Sequence, residues 1–357
     1  MKKKYIINIS LLVSFSLITI IFCEFIARIF FKPFPLKFVP SNDKQLVVKD
    51  EMRRYRLNPG SVGFFQSNEF NYKVCINDYG FRDIISTSAN YLKQSENKKI
   101  FIIGDSFAFG SGVNYENSIP GKVNHYINKL PIEDFNVINL GTPSYSLQQY
   151  LMTLDDYLNL KPSYVVFIIF SGKLYGGADD IFGSTIFENW KKKSSMKNIS
   201  SIKKKDYLKN YNLENIKKYL LKNSGLYNLA LLRIGSKIRA IKSRGTNLDK
   251  KTLAKLKNGY RILDQTLEEI KHLANDNNFV PIIVHIPPQS DVVNNYTESR
   301  DRLRNFVENT GFSFIDGMNI LNTNENFYFP IDGHLNSKGY DYISKAIVKE
   351  LMGLIRF

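Results

Sequence analysis

The longest apolar run in the chain lies at its N-terminus and predicts a membrane-spanning helix. Three lysines open the chain, and the 19 residues of the segment 5–23 carry no charged side chain. This length matches the roughly 20 residues with which a helix crosses a bilayer core. Lysines before a span favour a cytoplasmic N-terminus, so everything after the span is expected outside the cytoplasm. A cleaved signal peptide is one alternative, although no small-residue cleavage site is evident. A lipoprotein attached at Cys23 is another, although the bulky residues 21–22 precede it.

From residue 98 onward, short apolar runs alternate with segments that have helical spacing of their apolar residues. The short runs are rich in Val, Ile and Phe and predict buried strands. Alternation of this kind predicts a parallel sheet with helices on both faces. In such sheets, binding sites lie beyond the carboxyl ends of the strands. The predicted strands are 99–104, 135–141, 163–170, 280–288 and 312–317, and the predicted helices are 118–130, 146–158, 206–222, 224–243, 252–278, 300–310 and 337–354.

Changes in this pattern divide the chain into three segments. Residues 1–31 form a cytoplasmic tip and a transmembrane anchor. Residues 32–95 form a membrane-proximal segment of short strands and turns without a long helical period. Residues 96–357 form the α/β domain, which contains a basic helical insertion at about 175–258.

The positive charge of the chain is concentrated in that insertion. The whole chain has a formal net charge of +16, and residues 191–258 hold 20 Lys/Arg and 3 Asp/Glu, a net +17. A location outside the cytoplasm excludes nucleic acid as the partner of this segment. An anionic glycan and anionic lipid are the partners that its charge favours, and a solvated face is the alternative.

One predicted strand leads directly into Gly104-Asp105-Ser106. The phosphate-binding patterns G-x-x-x-x-G-K-[ST] and G-x-G-x-x-G are both absent at this point, which leaves a glycine turn or a nucleophile. Near the C-terminus, Asp332 lies two residues before His334. A serine nucleophile requires a base to take its proton, and the base requires a carboxylate to orient it. Ser106, His334 and Asp332 are therefore the candidate catalytic residues.

These short blocks resemble the SGNH (GDSL-type) hydrolase superfamily in its membrane-anchored bacterial form. Residues 104–106 with Gly110 are similar to the first block of the family, and residues 332–334 are similar to the last block. The stretch 77–83 resembles the N-x-x-G-F-R sequence that precedes the domain in anchored members. The resemblance covers roughly residues 75–357 without the insertion. It implies a three-layer α/β/α flavodoxin-like sandwich with a central parallel sheet.

The resemblance also implies an oxyanion hole. Gly141 is similar to the glycine of the second block, whose backbone N–H serves the oxyanion together with that of Ser106. The third block departs from the family, because Lys173 stands where an asparagine is expected. The long side chain of lysine is poorly preorganised, and the loss of one oxyanion donor costs about 3–4 kcal/mol. The D-x-H spacing is that of polysaccharide-modifying relatives.

The function implied is that of a serine esterase or acyl hydrolase acting on O-acyl groups, in particular O-acetyl groups, of a surface or cell-wall carbohydrate. An O-acetyltransferase is one alternative, and it would need a membrane acyl-donor partner because only one span is predicted. A non-catalytic carbohydrate-binding or assembly subunit is another, motivated by Lys173. No cofactor and no metal are expected, because the 2 cysteines and 4 histidines lack metal-ligand spacing.

Three further polar residues have open roles at this point. Asp105 is expected to bond backbone amides of its own loop rather than to take part in chemistry. Arg82 is expected either to pair with a carboxylate beneath the sheet or to lie at the surface. His285, at the end of the fourth strand, is expected either to line the pocket or to face a helix or solvent.

Overall fold

The computed structural model describes residues 2–30, 37–67, 69–85, 97–132, 134–173, 250–323 and 325–355, together with the single residues Trp190, Ser224 and Leu226. The chain forms two compact units. One comprises residues 1–36 and 200–247, and the other comprises residues 37–199 and 248–357.

The smaller unit contains helix α1, Lys2–Phe30. Within the described part of the chain, this is the one helix long and apolar enough to cross a membrane, with a mean hydropathy of 2.2 over Ser10–Ile29. Glu24 pairs with Arg28 one turn later, at 2.9 Å. The same carboxylate accepts hydrogen bonds from Ser224 Oγ and from the N–H of Leu226. The helix is compatible with an anchor and with a signal sequence.

The larger unit begins with short antiparallel strands, in the segment for which short strands and turns are predicted. Strands β1, β4, β5 and β6 form one sheet in that order, and β2 pairs with β3 in a hairpin. The bounds are β1 Lys37–Pro40, β2 Val47–Asp50, β3 Arg54–Leu57, β4 Val62–Gln66, β5 Asn71–Ile76 and β6 Arg82–Asp83.

The α/β part of this unit is built on a parallel sheet whose strand order is β11-β10-β9-β7-β8. The chain therefore reverses its winding direction between β7 and β9, the position at which open α/β sheets place their sites. The bounds are β7 Lys98–Gly104, α2 Ser106–Phe109, α3 Ile119–Ile127, β8 Phe135–Gly141, α4 Leu147–Tyr157, β9 Tyr164–Phe170, α5 Lys250–Asn277, β10 Val280–Ile286, α6 Gln289–Asn294, α7 Glu298–Thr310, β11 Ser313–Asp316, α8 Gly317–Leu321 and α9 Ser337–Ile355.

Successive residues of β7 enter different hydrophobic cores, as the two-residue period of a strand requires. Ile102 lies in a core with Val123 of α3 and Ile343 of α9. Ile103 lies in a core with residues of α4, α5 and α7, among them Leu263. Helices thus cover both faces of the sheet, and the predicted α/β/α sandwich with a parallel sheet is confirmed.

The predicted strands and helices of the α/β domain agree with the structure to within a few residues wherever it describes them. The short helices α2, α6 and α8 were not predicted, because helices of four to six residues show no helical period. The predicted helices at 206–222 and 224–243, and most of the basic insertion, lie outside the described residues. The three proposed segment boundaries remain predictions.

Candidate active site

The turn after β7 presents Ser106 at the carboxyl edge of the sheet. Asp105 is fully buried, and its Oδ1 accepts the N–H of Phe107 at 3.0 Å, which caps α2. The expected role of Asp105 as a partner of loop amides is confirmed. Gly104 allows the close packing of this turn, because a Cβ there would lie 2.8 Å from both Ala108 Cβ and the carbonyl oxygen of Ile168.

The structure brings Ser106, His334 and Asp332 together in the order that the chemistry requires. Ser106 Oγ lies 2.7 Å from His334 Nε2. Nδ1 of His334 is hydrogen-bonded to Oδ1 of Asp332. The His334 and Asp332 side chains are 22% and 20% exposed, so the pair is reachable from solvent. The ring of Phe107 packs against the imidazole, with centroids 4.8 Å apart, and limits its rotation.

The loop that carries Asp332 and His334 is a tight turn. The N–H of Gly333 donates to the carbonyl of Phe329 at 3.0 Å, and the N–H of Phe329 donates to the carbonyl of His334 at 2.8 Å. Gly333 has φ +83°, a conformation that glycine adopts without strain. Asn336 then caps α9 by accepting the N–H groups of Lys338 and Gly339.

Gly141 lies at the end of β8, beside Gly104 of β7. Its N–H donates to Oδ1 of Asn139 at 2.9 Å, and Nδ2 of Asn139 donates to the carbonyl of Phe109. An oxyanion would have to displace Asn139 Oδ1 from this N–H, and the role of Gly141 in an oxyanion hole stays a prediction. Asn139 was not singled out from the sequence, although a polar residue inside an apolar strand is a signal for such a bond.

The other two candidate oxyanion donors are placed differently. Ser106 is the first residue of α2, and its N–H makes no hydrogen bond to another described residue. Lys173 ends the 3-10 turn Ser171–Lys173, which follows β9, the strand next to β7. The Lys173 side chain lies outside what the structure describes, so its role remains a prediction.

Arg82 binds the chain directly after the turn that carries Ser106. It is 1% exposed, and its guanidinium donates to the carbonyls of Phe109, Gly110, Val113 and Lys73 at 2.8–3.1 Å. Burial lowers the pKa of this guanidinium. Both predictions for Arg82 were wrong. Its side chain lies in the interior and not at the surface, and its four partners are peptide carbonyls and not a carboxylate.

His285 is 1% exposed at the end of β10 and faces a helix, one of the alternatives that the sequence left open. Its Nδ1 lies 4.0 Å from Asp316 of β11. Burial, with the charges of Arg300 and Arg304 on α7, lowers its pKa to about 3. It is therefore a neutral residue of the interior at physiological pH. Among the described residues, no group of three His, Cys, Asp or Glu could hold a metal ion.

No protein-family model and no curated protein matches the chain. Solved structures similar to it include a lipolytic protein of the G-D-S-L family from Desulfitobacterium hafniense, which is 17% identical with a TM-score of 0.41 and covers 71% of this chain and 99% of its own. The lipase/acylhydrolase from Enterococcus faecalis is 16% identical with a TM-score of 0.37, at 72% and 96% coverage. The family 3 carbohydrate esterase of Clostridium thermocellum is 15% identical with a TM-score of 0.39, at 73% and 98% coverage.

The resemblance also rests on this chain's own sequence blocks and on their arrangement in the structure, independently of these identities and TM-scores. The Gly104-Asp105-Ser106 turn follows a central strand of a parallel sheet, and Asp332 and His334 reach it from the loop before the last helix. In these blocks, in the α/β/α sandwich and in this geometry, the chain is similar to the SGNH hydrolases.

Proposed function

We propose that the protein is a serine carboxylic ester hydrolase in which Ser106, His334 and Asp332 form the catalytic triad. The observation that supports this most directly is the 2.7 Å contact between Ser106 Oγ and His334 Nε2. The two residues are 228 positions apart, and the second nitrogen of the imidazole is bound by Asp332. A nucleophile, a base and an orienting carboxylate in this order define the arrangement of a serine hydrolase.

The reaction that these atoms support has two steps. Ser106 Oγ attacks the acyl carbonyl while Nε2 of His334 takes its proton, and His334 then gives that proton to the leaving alcohol. In the second step, His334 takes a proton from water, which attacks the acyl carbonyl. The bond to Ser106 Oγ then breaks, His334 returns the proton to Oγ, and the acid is released. Asp332 accepts the Nδ1–H of His334, holds the tautomer that leaves Nε2 free, and stabilises the imidazolium that forms.

The developing oxyanion requires hydrogen-bond donors close to Ser106. We assign one to the Ser106 N–H and a second to Lys173, at the end of the neighbouring strand β9. Substitution Lys173→Asn then keeps or raises kcat, because the shorter amide is more rigid. A loss of about 100-fold or more would instead assign Lys173 a role that an asparagine cannot take over, such as holding an anionic substrate.

The substrate that we propose is an O-acylated, in particular O-acetylated, anionic carbohydrate of the cell surface or wall. The net charge of +17 in residues 191–258 supports an anionic polymer, since the charge of a protein raises its association rate with an oppositely charged partner and salt weakens this effect. With an acidic acetylated glycan, kcat/KM should fall steeply as salt rises, whereas a neutral aryl acetate should be unaffected. Serines in place of residues 191–193 and 203–205 should remove this difference. If the protein without its N-terminal helix instead sediments with anionic liposomes and not with neutral ones, residues 191–258 bind lipid and not the substrate.

Ester hydrolysis is tested with the full chain in detergent micelles and 4-nitrophenyl acetate. The wild type should turn over the ester and react covalently with a fluorophosphonate probe, and Ser106→Ala should abolish both. Ser163→Ala serves as the control, because Ser163 precedes β9 at the opposite edge of the sheet. A Ser106→Ala protein that keeps wild-type turnover would overturn the assignment.

A further inference from the structure

The loop that carries the acid and the base is bound by a carboxylate from the N-terminal sheet. Glu69 lies in the turn between β4 and β5. Its Oε1 accepts the N–H of Ile331 at 3.0 Å, and its Oε2 accepts the N–H of Asp332 at 2.6 Å. One carboxylate thus binds two successive N–H groups at the tip of the loop, more than 260 positions along the chain.

Glu69 is itself held in place by its turn. Ser67 Oγ accepts the N–H groups of Glu69 and Phe70 at 3.1 and 3.2 Å. Next to it, the ring of Phe70 packs edge-on against Phe329, with centroids 5.1 Å apart. Phe329 begins the tight turn that ends at His334. A polar contact and an aromatic contact from the same turn therefore hold the tip and the first residue of the acid–base loop, residues 329–334.

We propose that Glu69 is a positioning residue, which fixes the backbone of Asp332 so that its carboxylate meets Nδ1 of His334. This inference rests on the proposed function. Hydrogen bonds from N–H groups to an ionised carboxylate are among the stronger ones in proteins. The tip of the loop has few other contacts to fix it, because Ile331 is 42% exposed. Gly333, at φ +83°, also allows the backbone more conformations than another residue would. Small errors in the placement of catalytic groups are costly in rate.

The described contacts of Glu69 are with backbone N–H groups, and none is with Ser106 Oγ or the His334 ring. Its effect must therefore pass through Asp332. Substitution by Gln keeps the length but turns one acceptor into an NH₂ donor facing an N–H donor. Substitution by Ala removes both acceptors. The two variants form a graded series, in which Ala has the larger effect.

The test compares Glu69→Gln and Glu69→Ala with the wild-type full chain in detergent micelles. Glu308→Gln, an exposed residue of α7, is the matched control. With 4-nitrophenyl acetate we expect kcat to fall about tenfold or more in Glu69→Ala and less in Glu69→Gln, with KM changed by less than about twofold, because alignment and not substrate binding is lost. The control should retain the wild-type kcat.

A second measurement does not depend on turnover. The Nδ1–H proton of His334, in its hydrogen bond to Asp332, should give a downfield proton resonance that disappears in Asp332→Asn. We expect this resonance to broaden or shift in Glu69→Ala and to stay unchanged in Glu308→Gln. If the wild type shows no ester turnover, the proposed function fails while this resonance still tests Glu69. A Glu69→Ala protein with lowered thermal stability but unchanged resonance and kcat has lost only a structural contact, and that result overturns the inference.

Discussion

Nη1 of Arg82 donates to the carbonyl oxygen of Gly110 at 2.8 Å, at the point where helix α2, which begins with Ser106, ends. The same nitrogen donates to the carbonyl of Phe109, and Nη2 donates to that of Val113. The aromatic ring of Phe109 also lies 4.9 Å from the guanidinium carbon. Strand β6 of the N-terminal sheet is thereby joined to the segment that follows Ser106.

Removal of this guanidinium should destabilise the protein strongly. Arg82→Met removes the guanidinium donor from four carbonyl groups, of which three are buried. The carbonyl of Phe109 keeps Asn139 as a donor and that of Gly110 keeps the N–H of Val113. Each buried carbonyl that is left unpaired costs about 1–3 kcal/mol. We expect the free energy of unfolding to fall by about 3–5 kcal/mol, allowing for relaxation. Urea denaturation followed by the fluorescence of Trp190, the single tryptophan and a buried one, measures this.

The control for this measurement is Arg261→Met, at an exposed arginine of α5, for which we expect a change within about 0.5 kcal/mol. If the free energy of unfolding of Arg82→Met falls by less than about 1 kcal/mol, the hydrogen bonds from Arg82 to the carbonyl groups contribute little to stability, and the prediction is wrong.

Gly141 should not tolerate a side chain. A Cβ at this position would lie 2.2 Å from the N atom of Phe109 and 2.5 Å from the carbonyl carbon of Ala108, and these backbone atoms belong to α2. Gly141→Ala should therefore lower the free energy of unfolding by at least about 3 kcal/mol and displace α2. Gly353→Ala is the matched control in the exposed part of α9, where a Cβ meets nothing within 4 Å. It should raise stability by about 0.5–1 kcal/mol, since alanine is the better helix former.

The effects of Ser106→Ala and His334→Ala on kcat should not add. Each substitution disables the proton transfer from Ser106 Oγ to Nε2, so the second has little left to remove. We expect each single variant to lose about a thousandfold or more in kcat and the double variant to lose about the same amount. Additive losses in the free energy of activation would show that the two residues act separately.

His285 should make the fold sensitive to mild acid. Its pKa is lowered from 6.5 to about 3 by burial and by Arg300 and Arg304, so the folded protein keeps it neutral. The unfolded chain takes up a proton below pH 6.5 that the folded chain does not, and the free energy of unfolding falls as pH falls. The loss from this group is about 2 kcal/mol by pH 5.

His285→Leu should abolish this part of the acid sensitivity, so that urea denaturation gives a smaller loss of stability between pH 7 and pH 5. His272→Leu, at an exposed position of α5, should leave the wild-type slope in place. Equal slopes in all three proteins would mean that His285 is not the group responsible.

Helix α1 should anchor the chain in a membrane with the domain on the outer side. The full chain should sediment with membranes and resist protease added from the cytoplasmic side, and deletion of residues 1–31 should release a folded, soluble protein. Size-exclusion chromatography and the fluorescence of Trp190 report on the fold of the deleted form. Digestion from the cytoplasmic side would reverse the orientation.

The local pattern of apolar and polar residues was sufficient to predict the secondary structure of the α/β domain, and short motifs were sufficient to identify the candidate triad. Strand β9, Tyr164–Phe170, follows from an apolar run, and helix α5 follows from its helical spacing, because burial of one face imposes these periods on the sequence itself. Ser106 could be identified because it lies in a short contiguous block, Gly104-Asp105-Ser106, directly after a predicted strand. Asp332 and His334 could be identified because an acid and a base lie two residues apart.

The partners of the polar residues were decided by the tertiary structure alone. Glu69 has no local pattern that separates it from a surface charge, and the N-x-x-G-F-R stretch around Arg82 does not indicate what Arg82 binds. The groups that these two side chains bind lie up to 263 positions away. A hydrogen bond forms wherever folding brings a donor to an acceptor, so contacts between distant segments leave no period in the sequence that could predict them.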